Sequence, residues 1–163
     1  MNLEKLFEMQ KSLDAHIEKK HGLEKEDLFE KKLLALLVEL GELANETRCF
    51  KFWSLKPSSS REIILEEYVD GVHFILSLGI EMEFDKMEFL APNEVQANSV
   101  TAQFLAVYQT ANEFARTRNL EQFAKLLTDY LGLAASLNFT TKEIEEAYFR
   151  KNEVNYERQK KGY

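Results

Sequence analysis

The amino-acid sequence predicts an all-α fold, a helical bundle of about five to six helices. The 163 residues include only two prolines and six glycines, and long stretches are rich in Leu, Glu, Lys, Ala and Gln, which favour helices. Apolar residues recur at helical spacing, and no stretch shows the sustained alternation of a β-strand. The length and the ordinary globular composition predict a single domain over residues 1–163.

The first two helices are predicted over residues 2–20 and 27–47. Gly22 follows the first helix, and glycine is the commonest residue just after a helix C-terminus. Asp27 and Glu30 have the spacing of a capping box, which indicates where the second helix begins. The residues that recur at helical spacing along one face of the first helix are Leu3, Leu6, Phe7, Gln10, Leu13, Asp14 and Ile17.

A loop and a third helix follow. In the loop CFKFWSLKPSSS, Pro57 and three serines interrupt the helical pattern. Ser59 and Glu62 repeat the capping-box spacing and predict a third helix that ends near Glu83. The segment FDKMEFLAPNE, which contains Pro92, is then predicted to be an irregular connector.

Three more helices are predicted in the C-terminal half. Two of them occupy residues 96–116 and 119–136 and are separated by the polar segment RTRN. Thr140 and Glu143 have capping-box spacing at the start of the last helix, which frays over residues 160–163.

Charge and cysteine content exclude several classes of protein. The net charge of -7 argues against a binder of nucleic-acid polymers, which would show a basic patch. The single cysteine, Cys49, excludes an intramolecular disulfide. No apolar stretch approaches the ~18 residues of a membrane span, and MNLEKLFEMQ does not resemble a signal peptide. A cytoplasmic protein without a membrane partner is therefore the default expectation.

Two pairs of acidic residues are the strongest chemical signal. Glu39 and Glu42 in ELGELANE lie one helical turn apart, and like charges at this spacing repel each other. Glu67 and Asp70 in EEYVDGVHF repeat the spacing on the next helix, and His73 continues that face. If the two helices pack antiparallel, four carboxylates meet and repel unless a cation lies between them. Oxygen ligands favour Mg²⁺, with Mn²⁺ as a possible substitute, and Mg²⁺ often binds phosphate oxygens.

Two other interpretations remain open at this point. Acidic residues three apart are common on solvated helix faces, so a non-catalytic helical adaptor is one alternative. A ferritin-like di-iron protein is another, suggested by Asp70-x-x-His73. Such bundles carry two Glu-x-x-His pairs, however, and the first acid pair here is followed by Asn45.

The arrangement resembles the all-α NTP pyrophosphatase (MazG-like) superfamily, and within it the dimeric dUTPases. That superfamily carries ExxE and ExxD on consecutive helices, and here 24 residues, Leu43 to Glu66, separate the pairs. MQKSLD resembles the first dUTPase motif, CFKFWS its aromatic-lysine loop, and DGVHF the extension of its second acid pair. KNEVNYERQKKGY resembles its closing motif, so the resemblance runs from residue 9 to residue 163.

The resemblance implies a homodimer that hydrolyses dUTP to dUMP and diphosphate with Mg²⁺. It implies that Glu39, Glu42, Glu67 and Asp70 hold metal ions. One of the first two, Glu42 or Glu39, would also accept the proton of the attacking water, with Glu42 as the first choice; this role is not separated from metal binding. The substrate-binding residues that it implies are Gln10, Asp14, Lys51, Trp53, His73, Lys151, Asn155 and Arg158.

Specific roles follow for some of these residues. Lys151, Asn155 and Arg158 share one side of the last helix and would contact phosphate oxygens. Gln10 would pair with the uracil edge through both its carbonyl and its N–H, and Trp53 would cover the base or sugar.

Structural roles are the alternatives for the same residues. Gln10 and His73 would then belong to the core, Trp53 and its phenylalanine neighbours to a dimer interface, and Lys151 and Arg158 to the charges favoured near a helix C-terminus.

Position 14 departs from the family pattern. It is Asp14 here, where relatives often carry Asn, and an ionised aspartate cannot donate a hydrogen bond. A related (d)NTP such as dCTP is therefore the alternative substrate.

Overall fold

The computed structural model describes residues 1–86 and 99–162, and the regular structure of this part of the chain is helical. A short 3₁₀ helix, Phe84–Lys86, follows the third α-helix. The all-α class is confirmed. The α-helices are α1 (Leu3–His21), α2 (Phe29–Thr47), α3 (Arg61–Glu81), α4 (Val100–Thr117), α5 (Leu120–Ser136) and α6 (Thr141–Lys160).

Two predicted helix ends are confirmed by their local geometry. Gly22 closes α1 in the left-handed conformation with a φ of 67°, where a side chain would be strained. At the start of α6, the Thr140 hydroxyl accepts a hydrogen bond from the Glu143 amide, and the Glu143 carboxylate accepts one from the Thr140 amide. This reciprocal pair is the predicted capping box.

The predicted caps of α2 and α3 are each wrong by one residue. Leu28 precedes α2, and Asp27 instead accepts a hydrogen bond from the Phe29 amide at 3.0 Å in a local turn. Ser60 precedes α3, because the Ser59 hydroxyl donates to the Glu46 carboxylate instead. Short polar side chains near a helix start thus bond to whichever group the loop brings closest.

Parts of three predicted segments lie outside the described residues. Residues 87–94 of the connector FDKMEFLAPNE, including Pro92, are among them. So are residues 96–98 at the predicted start of the fourth helix, and Tyr163 at the chain end. The prediction of one domain over the whole chain therefore stays a prediction.

Helices α2 and α3 pack as an antiparallel pair. Near the start of α2, Lys32 forms an ion pair of 2.6 Å with Glu81 at the end of α3. At the other end, the Ser59 amide, just before α3, donates to the Glu46 carbonyl of α2 at 3.0 Å. Contacts at both ends require that the helices run in opposite directions, which places the two acid pairs at the same height.

Helix α3 is the centre of the bundle and contacts α1, α2, α5 and α6. Most of its middle and C-terminal part is therefore buried, including the polar residues His73 and Ser77. Gly71 lies at a close approach of α5, since an added Cβ would sit 2.8 Å from the Tyr130 ring carbon Cζ. Tyr130 donates a hydrogen bond to the Tyr68 carbonyl at 2.7 Å, which fixes that approach.

Within residues 1–86 and 99–162, no helix combines the length and the apolar character that crossing a membrane requires. The cytoplasmic location stays a prediction.

Candidate metal and substrate site

Three of the four predicted metal ligands meet between α2 and α3. Glu39, Glu67 and Asp70 each offer a carboxylate oxygen, and these oxygens all lie within 4.8 Å of one another. The three side chains are partly buried. The antiparallel packing explains the meeting, because Glu39 faces α3 at the height of the second acid pair.

Glu42, the fourth predicted ligand, lies apart from this group of three. Its side chain is exposed, although it lies one turn from Glu39 on the same helix. Its negative charge nevertheless contributes to raising the pKa of Glu39 and of Glu67. Glu42 is therefore a close neighbour of the group, and its role as a ligand stays a prediction.

The electrostatics of the group favour a bound cation. Burial raises the pKa of Glu39 to about 7, and the charges of Asp70, Glu42 and Glu67 add to the rise. Burial also raises the pKa of Glu67 and of Asp70. Carboxylates that are this close and this poorly solvated resist simultaneous ionisation, and a cation among them removes that penalty.

Lys151 of α6 also contacts this group of carboxylates. Its Nζ lies 2.7 Å from Asp70 Oδ2 and 2.9 Å from Glu66 Oε1, and its side chain is only 8% exposed. Lys151 belongs to the closing motif KNEVNYERQKKGY, called the tail motif below. The tail motif on α6 therefore contacts the second acid pair, although the two are more than eighty residues apart in sequence.

A cavity of about 310 Å³ lies beside the carboxylates, between α1, α2, α3 and α6. Residues from the first motif, both acid pairs and the tail meet around it. Its lining comprises Gln10, Leu13, Asp14, Ile17, Glu39, Asp70, His73, Phe74, Ser77, Asn155, Arg158 and Gln159.

A buried hydrogen-bond chain forms one wall of the cavity. Gln10 Nε2 donates to Asp14 Oδ1 at 2.7 Å, and Gln10 Oε1 accepts from the Tyr148 hydroxyl at 2.8 Å. His73 Nδ1 lies 2.7 Å from the same Gln10 oxygen. Because an ionised Asp14 can only accept, the amide nitrogen of Gln10 must face Asp14 and its carbonyl must face His73.

This chain also determines the tautomer of His73. Gln10 Oε1 can only accept, so His73 Nδ1 carries the proton and Nε2 has the lone pair. Burial lowers the pKa of His73 to about 3, with a smaller contribution from Lys151, so the ring is neutral. Nε2 is buried and has no hydrogen-bond partner among the described residues. His73 stacks on Tyr148 with ring centroids 4.1 Å apart.

The structure does not bring the aromatic-lysine loop to the cavity. Trp53 is 64% exposed, neighbouring Phe52 is 94% exposed, and neither lines the cavity. Lys51 hydrogen-bonds Asn45 at the end of α2 instead. The predicted substrate contacts of Lys51 and Trp53 stay predictions, and within one copy of the chain this loop points to solvent.

Sequence reasoning did not single out several residues of the site. Ser77 donates to Asp14 Oδ2 at 2.6 Å, and Tyr148 positions Gln10. Both could have been found from helical spacing, since Ser77 lies four residues after His73 and Tyr148 three before Lys151. Lys32, whose Nζ lies 3.8 Å from Asp14 Oδ2, had no comparable signal because it belongs to no motif.

The sequence also matches a known protein family. A protein-family model described as dUTPase matches residues 2–163, essentially the whole chain. No curated protein matches the chain.

Proposed function

Because this chain belongs to the all-α dUTPase family, a family of dUTP diphosphatases, we propose that its carboxylate site hydrolyses dUTP to dUMP and diphosphate with Mg²⁺. The observation that carries the proposal is the meeting of Glu39, Glu67 and Asp70 beside the cavity.

The three carboxylates suit a hard divalent cation. All of their donor atoms are oxygens, which is the donor set preferred by Mg²⁺ and Mn²⁺. When bound there, the metal would neutralise triphosphate oxygens and lower the pKa of the attacking water. The predicted di-iron alternative has less support, since His73 is not part of the carboxylate group among the described residues.

Glu42 is the residue that we assign as proton acceptor. It lies one turn from Glu39, close enough to raise its pKa, yet its side chain reaches solvent. A carboxylate in this position can take a proton from a water molecule and release it to solvent. It does not have to dissociate from a metal ion to do so. Glu39, Glu67 and Asp70 then serve as ligands.

The phosphate groups are assigned to the end of α6. Asn155 and Arg158 line the same cavity as Glu39 and Asp70. The Arg158 guanidinium offers paired donors for phosphate oxygens, and its charge lowers the pKa of Asp70 against the larger effect of burial. Lys151 is not among the residues that line this cavity, but its ammonium group lies 2.7 Å from Asp70 and adds a positive charge next to the carboxylates.

The uracil edge is assigned to Gln10 and Asp14. The Gln10 carbonyl already accepts hydrogen bonds from His73 and Tyr148, so the amide has only an N–H to offer. Asp14 offers acceptor oxygens. The Gln10 N–H can donate to the C4 carbonyl of uracil, and Asp14 can accept from its N3–H. Cytosine has an amino group at C4 and no hydrogen on N3, so it does not match this pair. This arrangement favours dUTP over dCTP.

A homodimer is part of the same proposal. Two apolar side chains one turn apart on α2 are exposed, Leu34 at 63% and Val38 at 49%, and Leu105 of the neighbouring α4 is exposed at 66%. A second copy packing on this face would cover them. Leu34→Glu should then shift the mass measured by light scattering from a dimer towards a monomer. A parent protein that is already monomeric would contradict this part of the proposal.

The activity itself is tested by diphosphate release. Purified protein with Mg²⁺ should release diphosphate from dUTP, and should do so much more slowly from dCTP and dTTP. Omission of Mg²⁺ should abolish the release. If Mg²⁺ raises the melting temperature but no nucleotide is cleaved, the proposed reaction is overturned. If Mg²⁺ leaves the melting temperature unchanged and no nucleotide is cleaved, the adaptor alternative is supported.

A further inference from the structure

A largely buried lysine that belongs to no motif lies next to Asp14, one of the two residues to which the uracil edge is assigned. Lys32 projects from α2, and its side chain is only 11% exposed. Its Nζ lies 2.6 Å from Glu81 of α3, and 3.3 Å and 3.8 Å from Glu18 and Asp14 of α1. One ammonium group therefore joins three helices immediately behind the cavity wall.

Three neighbours of the Asp14 carboxylate favour its acceptor form against burial and the nearby charge of Glu18. Gln10 donates to Oδ1, whereas Ser77 donates to Oδ2 and Lys32 lies next to that same oxygen. Burial raises the pKa of Asp14, and Ser77, Lys32 and Gln10 limit that rise. Ser77 and Gln10 are neutral, so Lys32 is the positive charge that compensates for the burial of this carboxylate.

We propose that Lys32 is a positioning residue for base selection, which acts by fixing the Asp14 carboxylate beside Gln10. The proposal rests on the proposed function, because it assumes that Gln10 and Asp14 read the base. A displaced or protonated Asp14 could present an O–H in place of an acceptor oxygen. The donor–acceptor pattern that distinguishes uracil from cytosine would then be lost.

The alternative is a purely structural role for Lys32. Its contacts with Glu18 and Glu81 hold α1, α2 and α3 together, and removal of a buried ion-pair partner destabilises a fold. Stability alone therefore cannot distinguish the two roles. Glu81→Gln is the matched control, because it removes the negative charge that is closest to Lys32 and leaves Asp14 and its contacts in place.

The experiment measures kcat and KM for dUTP and dCTP with Mg²⁺ in the parent, Lys32→Met, Lys32→Arg and Glu81→Gln. Lys32→Met should raise the KM for dUTP roughly tenfold with little change in kcat, because base contacts are made before chemistry. The ratio of kcat/KM for dUTP to that for dCTP should also fall roughly tenfold. Lys32→Arg should restore most of this ratio, and Glu81→Gln should retain it.

Two results would overturn the proposal. One is a folded Lys32→Met with the parent ratio, whatever its melting temperature. If Lys32→Met does not fold, Lys32→Gln serves instead, because it removes the positive charge next to Asp14 Oδ2 and keeps a polar side chain. An unchanged ratio in that folded variant would be the second. Binding of dUMP and dCMP, measured by calorimetry, keeps the test separate from the reaction. If the parent binds dUMP more tightly than dCMP but releases no diphosphate from dUTP, the proposed function is contradicted. The role of Lys32 in base selection can then still be tested by binding.

Discussion

Lys151 Nζ lies 2.7 Å from Asp70 Oδ2, which connects the tail helix to the second acid pair. The lysine side chain is 8% exposed and that of Asp70 is 18% exposed, so the pair is largely removed from water. Opposite charges that are this well buried behave as a unit, and removing one leaves the other without compensation.

The first prediction concerns this pair. Lys151→Met should lower the free energy of unfolding by about 3 kcal/mol in EDTA, because Asp70 would remain buried beside the other carboxylates. Urea unfolding measures the change. Lys11→Met is the matched control, since Lys11 forms an ion pair of the same length with Asp85 but is 54% exposed. That exposed pair should contribute less than about 1 kcal/mol. Equal effects of the two substitutions would contradict the interpretation.

The second prediction is a dependence of stability on pH in EDTA. The pKa of Glu39 is about 7 in the folded protein against an ordinary value of 4.5, so the folded state binds its proton more tightly than the unfolded state does. Stability should therefore decrease as the pH rises from about 4.5 to about 7, and Glu39 should contribute no further change above that.

Glu39→Gln tests the source of that slope. It should flatten the plot of urea midpoint against pH and should stabilise the protein in EDTA at neutral pH. Some slope should remain, because burial also raises the pKa of Glu67 and Asp70. A slope equal to that of the parent would show that Glu39 does not titrate in this range.

The third prediction separates the two glutamates of the first acid pair. Glu42→Gln should reduce turnover of dUTP by at least about a hundredfold, the usual effect of losing a general base. It should keep most of the rise in melting temperature that Mg²⁺ causes, because Glu42 is not among the three grouped carboxylates. Glu39→Gln should lose both turnover and the Mg²⁺ response. If both variants lose the Mg²⁺ response equally, Glu42 is a ligand.

The fourth prediction concerns Arg158, which lines the cavity from α6. Arg158→Ala should remove a charge-assisted phosphate contact worth roughly 1.5–3 kcal/mol, which is roughly a ten- to hundredfold loss in kcat/KM. The melting temperature should change little, since the residue is exposed. Arg116→Ala is the control, because Arg116 is paired with Glu113 on the surface of α4. Full activity of Arg158→Ala would assign the arginine a structural role.

The helices, and the order of motifs along them, could be predicted from the sequence alone. Helical spacing, the scarcity of glycine and proline, and the Thr140 capping box are local properties, and local structure follows them directly. The two predicted caps that failed, Asp27 and Ser59, lie where a loop offered another hydrogen-bond partner. Local patterns indicate that a helix begins, and neighbouring loop contacts decide at which residue.

Only the tertiary structure decided which polar groups meet. The sequence shows Glu39 and Glu42 as equivalent, yet packing turns Glu39 towards α3 and leaves Glu42 in solvent. Spacing also cannot show that the Gln10 carbonyl is occupied by Tyr148, or that Lys32 lies behind Asp14. These outcomes depend on how helices distant in sequence are rotated against one another. That rotation depends on the packing of the apolar faces around α3, which the polar motifs do not show.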